Sequence, residues 1–343
     1  MNTLVDLRSD TVTTPTAEMR RAMAEADVGD DAYGEDPTVR RLETLAAALL
    51  GMEAGLYVPS GTMANQIALR TLGVAGTEVL CGARSHVIRH ERAAGAVNAG
   101  VQLRALPDDD GRLHARDVEQ AVASIEHHLP SISALFLENT YMPASGRPAN
   151  SSEIGEVVAA ARAHDLAVHC DGARLWNASV ALGVSPSDLV AGCDTAMFCL
   201  SKGLSAPVGS VLCGDRARID EARVHRARLG GQMRQAGVIA AAGVVALETM
   251  VDRLADDHAR ARRLAEALAD AFPGSVDPST VVTNIVCAPA AAFPAALLDA
   301  LAAEAVLAGT IDAHTVRFVT HRDVDDAGID HAIAVLRGIA ARG

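Results

Sequence analysis

Apolar positions along the chain follow two periods, which alternate. Helical spacing of apolar residues marks four segments: 38–50, 60 to about 72, 115–126 and 153–163. Short apolar runs bounded by polar or glycine-containing turns mark six strand candidates: 78–81, 101–106, 134–137, 166–170, 195–200 and 209–213. Strands that alternate with helices predict an α/β fold with a largely parallel sheet, covered by helices on both faces.

The pattern changes near residue 235. It is helical over 235–271. Two strand candidates, at 281–287 and 316–320, then alternate with two helices, at 292–304 and 325–341. This change predicts a large domain over residues 1–248, with an N-terminal arm at 1–20, and a smaller α+β domain over residues 249–343.

Composition excludes several classes of protein. The chain has 343 residues, of which 43 are acidic and 30 basic, for a formal net charge of −13 at pH 7. This balance argues against nucleic acid or an anionic membrane as the main partner, because both require a basic footprint. No apolar run reaches the roughly 18 residues of a spanning helix, and the first ten residues do not resemble a secretory signal. Six isolated cysteines without metal-ligand spacing are typical of a reducing compartment, so we expect a cytoplasmic protein without a metal.

One residue stands apart in the composition. Lys202 is the only lysine, and the other 29 basic residues are all arginine. Coding bias explains the missing lysines but not the one that is retained, since arginine fills most surface roles. Lysine is required where an amine must lose its proton and form a Schiff base. The composition therefore favours a chemical role for Lys202 over the alternative, a solvated lysine at a strand end.

Lys202 and Asp171 each follow a predicted strand. The carboxyl ends of parallel strands meet at the edge of the sheet where α/β folds bind ligands. A carboxylate at that edge needs a cationic partner, and the protonated ring nitrogen of pyridoxal phosphate (PLP) is one. Arg174 is the alternative partner of Asp171. The spacing of Asp171 and Lys202 fits two neighbouring strands directed at one cofactor.

The residues Ser60, Gly61 and Thr62 open a predicted helix. Backbone N–H groups at a helix N-terminus, a threonine hydroxyl and a glycine that admits close approach together make a phosphate site. The same residues also fit an ordinary N-cap, and the presence of Lys202 and of Asp171 makes the phosphate site the better interpretation. The Ser201 hydroxyl is a further candidate for a phosphate oxygen. Neither GxxxxGK nor GxGxxG occurs, so there is no nucleotide signature.

Histidines and one strand arginine add candidate chemistry with open alternatives. His86 either stacks on a cofactor ring and handles protons or is structural. His127 and His128, near a helix end, either contact substrate or complement the helix dipole. Arg317 lies in a predicted strand. Its guanidinium pairs either with a substrate carboxylate or with a nearby aspartate, Asp312 or Asp323.

Seven segments follow one another in a specific order: 5–13 (VDLRSDTVT), 29–37 (GDDAYGEDP), 59–65 (PSGTMAN), 137–140 (LENT), 171–177 (DGARLWN), 200–210 (LSKGLSAPVGS) and 230–237 (GGQMRQAG). With Thr320-His321 near the end, they resemble the low-specificity L-threonine aldolase family. That resemblance covers nearly the whole chain. It implies a PLP-dependent enzyme of fold type I, with a large cofactor-binding domain and a smaller C-terminal domain.

The resemblance also implies a set of site residues. The catalytic residues would be Lys202, His86, His128 and Asp171. The cofactor would contact Lys202, Asp171, Gly61, Thr62, His86, Ser201, Arg234 and Arg228. The substrate would contact Ser9, Arg174, Arg317, Tyr33, His90 and Tyr141. Lys202 would form the Schiff base, and Asp171 would pair with the ring nitrogen. Family members assemble their sites across a dimer interface, usually within a homotetramer, so Arg228 and Arg234 would reach a neighbouring subunit's phosphate.

The chain departs from the family at three places. Tyr141-Met142 follow Glu-Asn-Thr where the family usually has His-Asn. His90 stands near a position that is usually aromatic, and Gln232 interrupts a glycine triplet. None of these changes removes a cofactor residue, so we expect them to alter substrate preference rather than reaction class.

The activity implied by the resemblance is retro-aldol cleavage. L-Threonine, L-allo-threonine and related L-β-hydroxy-α-amino acids would give glycine and an aldehyde. His86 or His128, directly or through water, would take the β-hydroxyl proton. A β-eliminating lyase or an aminotransferase on the same scaffold is the alternative. A non-catalytic binding protein is disfavoured because Lys202 is retained, and a metal-dependent aldolase because no ligand cluster is evident.

Overall fold

The computed structural model describes residues 4–342, which form twelve strands and twelve α-helices. The strands are β1 Val5–Asp6, β2 Ala54–Val58, β3 Glu78–Gly82, β4 Gln102–Leu106, β5 Ile132–Glu138, β6 Ala167–Gly172, β7 Thr195–Cys199, β8 Ser210–Gly214, β9 Ile285–Pro289, β10 Val306–Leu307, β11 Gly309–Asp312 and β12 Thr315–Val319. The helices are α1 Ala17–Ala24, α2 Pro37–Leu50, α3 Gly61–Leu72, α4 His86–Arg89, α5 Ala115–Ala123, α6 Ser151–Arg162, α7 Leu175–Leu182, α8 Arg216–Arg228, α9 Gly237–Thr249, α10 Leu254–Ala271, α11 Leu297–Ala303 and α12 Asp326–Ala340.

Seven strands form the main sheet, in the order β2-β8-β7-β6-β5-β3-β4. The five strands from β7 to β4 are mutually parallel, and only β8 runs against its neighbours. The sheet separates two apolar clusters, one centred on helices such as α2, α6 and α9 and the other on α3 and α8. The predicted α/β fold with a largely parallel, two-sided sheet is confirmed.

The register of the central strands positions the site. Asp171 near the end of β6 pairs with Glu138 on β5 and with Met197 on β7. Parallel strands end at one edge of the sheet, so these neighbours and the residues just after β7 lie together there. That edge also receives the first turn of α3.

The C-terminal part has its own sheet and its own core. Strands β11, β12 and β9 are antiparallel in that order, and an apolar cluster joins them to α10, α11 and α12. Val5 and Leu7 pack in this cluster, and β1 pairs with β10. The N-terminal arm therefore crosses to the C-terminal part. The boundary at residue 248 stays a prediction, and residues 1–3 of the arm and residue 343 lie outside the described part of the chain.

Several details differ from the sequence prediction. Strand β2 is not among the predicted runs; it lies so close to α2 that a Cβ on Gly55 would meet the Glu43 carbonyl oxygen at 2.7 Å. The predicted helix over 235–271 is two helices, because a turn closed by Leu254 N and Val251 O interrupts it. The strand predicted at 281–287 begins only at Ile285. None of the helices within residues 4–342 is long and apolar enough to cross a membrane.

Gly209 closes the loop that carries Lys202, and we expect Gly209→Ala to destabilise the protein by about 1–3 kcal/mol. Its φ is +110°, and an added Cβ would lie 2.4 Å from Cε2 of the fully buried Tyr57. Gly155→Ala in α6 is the matched control, since its Cβ would meet nothing within 4 Å, and it should stabilise the helix by about 0.5–1 kcal/mol. Urea unfolding measures both changes, and equal effects would contradict this account of Gly209.

Candidate active site

A cavity opens at the carboxyl edge of the main sheet, between the ends of β6 and β7 and the first turn of α3. It is lined by Pro59, Ser60, Gly61, Thr62, Asn65, His86, Asp171, Ala173, Met197, Cys199, Ser201 and Lys202. Six of these residues are predicted cofactor contacts, namely Gly61, Thr62, His86, Asp171, Ser201 and Lys202. Segments that are distant in sequence therefore meet at the carboxyl edge of the sheet, where the sequence analysis predicts a ligand site.

Lys202 follows β7 in a loop that is held at both sides. Its carbonyl oxygen accepts hydrogen bonds from Thr13 Oγ1 and from Ser205 N, each at 2.9 Å. A Cβ on Gly203 would meet Leu254 at 2.8 Å, so the loop packs closely against α10. The lysine backbone is thus fixed, and the side chain lines the cavity. A positioned amine of this kind can form a Schiff base with a carbonyl compound.

Asp171 is 5% exposed and faces the same cavity. Its carboxylate accepts hydrogen bonds from Asn65 Nδ2 at 2.7 Å and from Ala173 N at 3.0 Å. A carboxylate can accept about four hydrogen bonds, so it keeps capacity for a further donor from the cavity side. A protonated ring nitrogen meets that requirement.

Arg174 does not neutralise Asp171, so the alternative that paired them is wrong. Its Nε and Nη2 donate to the two oxygens of Asp10, at 2.7 and 2.6 Å, in a buried bidentate pair. Asn284 Nδ2 also donates to Asp10, at 3.2 Å. Burial raises the pKa of Asp10, but the Arg174 charge and hydrogen bonds outweigh it and hold that pKa well below its usual range.

Arg317 lies near this pair, and its guanidinium has no carboxylate partner among the described residues. Its Nη2 donates to the Arg8 carbonyl oxygen at 3.0 Å, while its buried Nε has no partner within residues 4–342. Burial and the neighbouring Arg174 charge lower its pKa. The alternative partners are engaged elsewhere: Asp312 caps His314 N, and Asp323 accepts from the N-terminal arm and from Arg322. An unpaired buried N–H next to a second guanidinium calls for an anion such as a carboxylate.

The first turn of α3 combines both interpretations of the Ser60–Thr62 segment. Ser60 is the N-cap, and its Oγ accepts from Met63 N at 3.2 Å. Gly61 faces β7 so closely that a Cβ would lie 2.8 Å from Cys199 Sγ. A glycine is needed there, and the helix N–H groups open to the cavity. This is a cradle that fits a phosphate.

The structure reveals a polar network that the sequence analysis did not find. Asn65 Nδ2 donates to Asp171 and to Glu91, and Asn65 Oδ1 lies 3.2 Å from His169 Nε2. His169 Nδ1 lies 2.8 Å from Thr195 Oγ1. Complete burial lowers the pKa of His169 to about 4, so the ring is neutral at pH 7. A signal was available, because His169 lies two residues before Asp171 and therefore on the same strand face.

His86 begins the short helix α4 and is held by two carboxylates. Its Nδ1 lies 2.9 Å from Glu91 Oε1, and its backbone N donates to Glu138 Oε2 at 2.7 Å. Burial lowers the pKa of His86, but the Glu91 hydrogen bond and the Asp171 charge raise it above its usual value. Loss of solvation and the charge of Asp171 raise the pKa of Glu138 to about 7. Glu91 and Glu138 are both absent from the predicted site residues.

Five predicted residues, namely Ser9, Tyr33, His90, Arg228 and Arg234, do not line this cavity. The His90 ring is 5.5 Å from that of His86 and is exposed. Tyr33 is 78% exposed, and Arg228 and Arg234 are exposed as well. Arg234 Nη1 is 3.7 Å from Asp30, its nearest carboxylate partner. Ser9 caps the turn that contains Asp10, and its Oγ accepts from Thr11.

Two predicted residues lie away from the cavity of the same chain. His128 precedes β5 and is exposed, with Nδ1 3.7 Å from Glu126, so it lies towards the amino edge of the sheet, opposite the site. His127 belongs to the same loop. Tyr141 is buried with its hydroxyl donating to Asp108, which is also bound by Arg84. The chain turns away after Glu138, and this turn directs the Tyr141 ring behind the site.

Residues 6–291 match the model of the beta-eliminating lyase family. The low-specificity L-threonine aldolase 1 of Arabidopsis thaliana is 42% identical over 289 residues, which cover 82% of this chain and 80% of that protein. The threonine aldolase structure of Leishmania major has a TM-score of 0.86 at 18% identity and covers 98% of this chain and 99% of that chain. A serine palmitoyltransferase structure that holds PLP has a TM-score of 0.77 at 17% identity, over 99% of this chain and 87% of that chain.

The fold is therefore that of the type I PLP-dependent enzymes. Within that class, the chain belongs to the L-threonine aldolase family.

The buried His169 makes stability depend on pH. Its pKa is about 4 in the folded protein and about 6.5 in the unfolded chain. The unfolded state therefore binds the extra proton below about pH 6.5, and the free energy of unfolding falls as pH drops towards 4. The total loss is about 3 kcal/mol. We expect His169→Gln to remove that part of the acid loss in urea unfolding at several pH values.

His314→Gln, which removes an exposed imidazole from the β11–β12 turn, is the control for this measurement. An unchanged acid slope in His169→Gln would contradict the assignment of a neutral buried ring.

Proposed function

We propose that the protein binds PLP on Lys202 and cleaves L-threonine, L-allo-threonine and related L-β-hydroxy-α-amino acids to glycine and an aldehyde. The observation that carries the proposal is that the chain's only lysine and Asp171 line one cavity. Arg317, whose buried Nε has no partner within residues 4–342, lies near the Asp10–Arg174 pair. Membership of the L-threonine aldolase family supports the aldol reaction over other chemistry of the same fold.

The residues present fit the cofactor. Lys202 would hold its aldehyde carbon, Asp171 its ring nitrogen, and Gly61 with Thr62 its phosphate. Ser201 and His86 line the same cavity. When bound, PLP supplies an electron sink for the pair of electrons left by bond cleavage. Asp171 keeps that sink effective, because a buried carboxylate stabilises the protonated ring nitrogen.

Arg317 and Arg174 would bind the substrate carboxylate, with Ser9 beside them. Arg317 Nε is a buried donor without a partner among the described residues, and Arg174 is immobilised by its pair with Asp10. A rigidly held carboxylate fixes the rotation of the amino acid and so decides which bond at its α-carbon faces the cofactor ring. Such positioning contributes to rate because the reacting groups are already held in the required geometry.

His86 is the group in the cavity best placed to take the β-hydroxyl proton. It is a ring nitrogen base whose pKa is shifted upward by Glu91, so it can hold the proton it receives. His128 of the same chain lies at the other edge of the sheet, and a role for it requires a neighbouring subunit. The β-eliminating activity named by the family model is the competing function; the named aldolase relatives favour retro-aldol cleavage.

We also infer that the site is completed by a second copy of the chain in a homodimer-based tetramer. Tyr33, Arg228 and Arg234 are exposed in one protomer, although the family resemblance implies cofactor or substrate contacts for them. Exposed arginines offered to a neighbour's phosphate would explain this placement. A cytoplasmic location, inferred from the isolated cysteines, belongs to the same proposal.

The first test is chemical. We expect the purified protein to show a near-visible absorbance band that borohydride removes, and peptide mapping to place the mass of a reduced phosphopyridoxyl group on the Lys202 peptide. Lys202→Arg should show neither. L-Threonine should give glycine and acetaldehyde, whereas β-elimination would give a keto acid and ammonia. With added PLP, the lack of any band or adduct would overturn the proposal in favour of a non-catalytic binding protein.

Subunit mixing tests the shared site. Lys202→Ala and Arg234→Ala should each be inactive alone, and their mixed oligomers should recover part of the activity, since one of the two sites then has both residues. Lys202→Ala mixed with Asp171→Asn is the control. Those two residues line the cavity of one chain, so each mixed site lacks one of them and no recovery is expected. Equal recovery in both mixtures would rule out the shared site.

A further inference from the structure

We propose that Glu91 is a positioning residue of this site: it holds the proton of the His86 imidazole on Nδ1 and leaves Nε2 as the proton acceptor at the cavity. The inference rests on the proposed function, since it concerns the base of that reaction. Glu91 is not a cofactor or substrate contact, and it acts only through His86.

The surroundings of Glu91 show that its carboxylate is a fixed acceptor. Its side chain is 0% exposed. Oε1 accepts from Asn65 Nδ2 at 2.7 Å and faces His86 Nδ1 at 2.9 Å, while Oε2 accepts from Gln66 Nε2 at 2.6 Å. Two of these three partners are amide donors, so the carboxylate serves as an acceptor throughout. The nitrogen of His86 that faces it must therefore carry the hydrogen.

The orientation of Asn65 does not rest on Glu91 alone. Asp171 is a second carboxylate acceptor on the Nδ2 side, at 2.7 Å, while Asn65 Oδ1 lies 3.2 Å from Nε2 of the neutral His169. The amide hydrogens therefore face the two carboxylates, and the amide oxygen faces His169. The two hydrogens are divided between Glu91 and Asp171. One amide thus separates two buried carboxylates that would otherwise repel each other.

Three side chains of this network, those of His86, Glu91 and Asp171, form a cluster of a kind that can hold a metal ion. Ligand atoms of His86, Glu91 and Asp171 lie within 4.8 Å of one another. The Asn65 amide donates to both carboxylates, and His86 Nδ1 bonds to one of them. The cluster is therefore held together by hydrogen bonds, and its chemistry is that of a carboxylate–histidine pair. In such a pair the carboxylate orients the ring and stabilises the imidazolium that forms when the ring accepts a proton.

Several charges face His86 from the elements around it. Glu91 and Asp171 raise its pKa, and Lys202 lowers it. The Glu138 carboxylate accepts a hydrogen bond from the His86 backbone N. The His90 ring, just after α4, lies 5.5 Å from the His86 ring. Removing the Glu91 charge removes the hydrogen-bonded contribution that raises this pKa. The acidic limb of the pH–rate profile should then move to lower pH.

The experiment compares wild type with Glu91→Gln, using ¹⁵N-histidine NMR on the purified enzyme. The His86 signal is identified as the one missing in His86→Asn. In wild type we expect Nδ1–H with an unprotonated Nε2 above the ring pKa. In Glu91→Gln that tautomer should be less strongly favoured, because the amide oxygen is a weaker acceptor than a carboxylate and the amide adds two donors of its own. We also expect kcat to fall on the order of 10²-fold while the cofactor band is retained, and the acidic limb of kcat/KM to shift downward.

Glu78→Gln is the matched control. It removes a buried carboxylate at the start of β3, on the far edge of the sheet, and should change neither the tautomer nor the pH profile. If wild-type His86 carries its hydrogen on Nε2, or if Glu91→Gln keeps both the tautomer and the pH profile, the proposal is wrong. The wild-type spectrum decides this even if the variant folds poorly. Absence of glycine from threonine would overturn the proposed function, and the tautomer result would remain interpretable by itself.

Discussion

The buried pair of Asp10 and Arg174 is the constraint on which the arrangement of the site depends. Asp10 belongs to the N-terminal arm and Arg174 to the end of β6, and Asn284 from the C-terminal part bonds to the same carboxylate. Two charges without solvent must stay paired, because removal of either one leaves an uncompensated ion at a cost of about 3–5 kcal/mol. The pair therefore holds the arm across both parts of the chain. Through Thr13, the same arm fixes the backbone of Lys202.

A second constraint is the crowding of carboxylates at one edge of the sheet. Asp171, Glu91 and Glu138 approach one another at the end of β5 and β6, and their mutual repulsion must be offset by donors. The protein uses neutral groups for this purpose: the Asn65 amide and backbone N–H groups. Neutral donors leave the negative charge of Asp171 available to a cationic ligand. A guanidinium in the same position would have cancelled it, and Arg174 is in fact turned away to Asp10.

The part of the site that could be predicted comprises residues at strand ends and the chain's only lysine. Lys202, Asp171 and the α3 N-terminus follow from the rule that parallel strands open at one edge, and the alternating pattern predicts most of the main sheet. Asn65 and Glu91 were not predicted because each acts through a side-chain contact, with Asp171 and with His86, that no local pattern encodes. His169 could have been predicted, since it lies two residues before Asp171 on the same strand face. The partner of Arg174 could not be predicted for a similar reason: Asp10 lies 164 residues away in sequence but at hydrogen-bond distance in space.

Tyr141 and Met142, which depart from the usual family sequence, pack behind the cavity and do not line it. The Tyr141 hydroxyl reaches Asp108, and Gly82 makes this possible, since a Cβ there would lie 2.9 Å from that hydroxyl. Met142 packs against Ile285 and its backbone N donates to Glu138. The Tyr141 side chain therefore bonds to Asp108 and the Met142 side chain packs in an apolar cluster, and neither lines the cavity. The other oxygen of Glu138 holds the backbone of His86, so this carboxylate connects the segment that departs from the family to the helix that begins with His86.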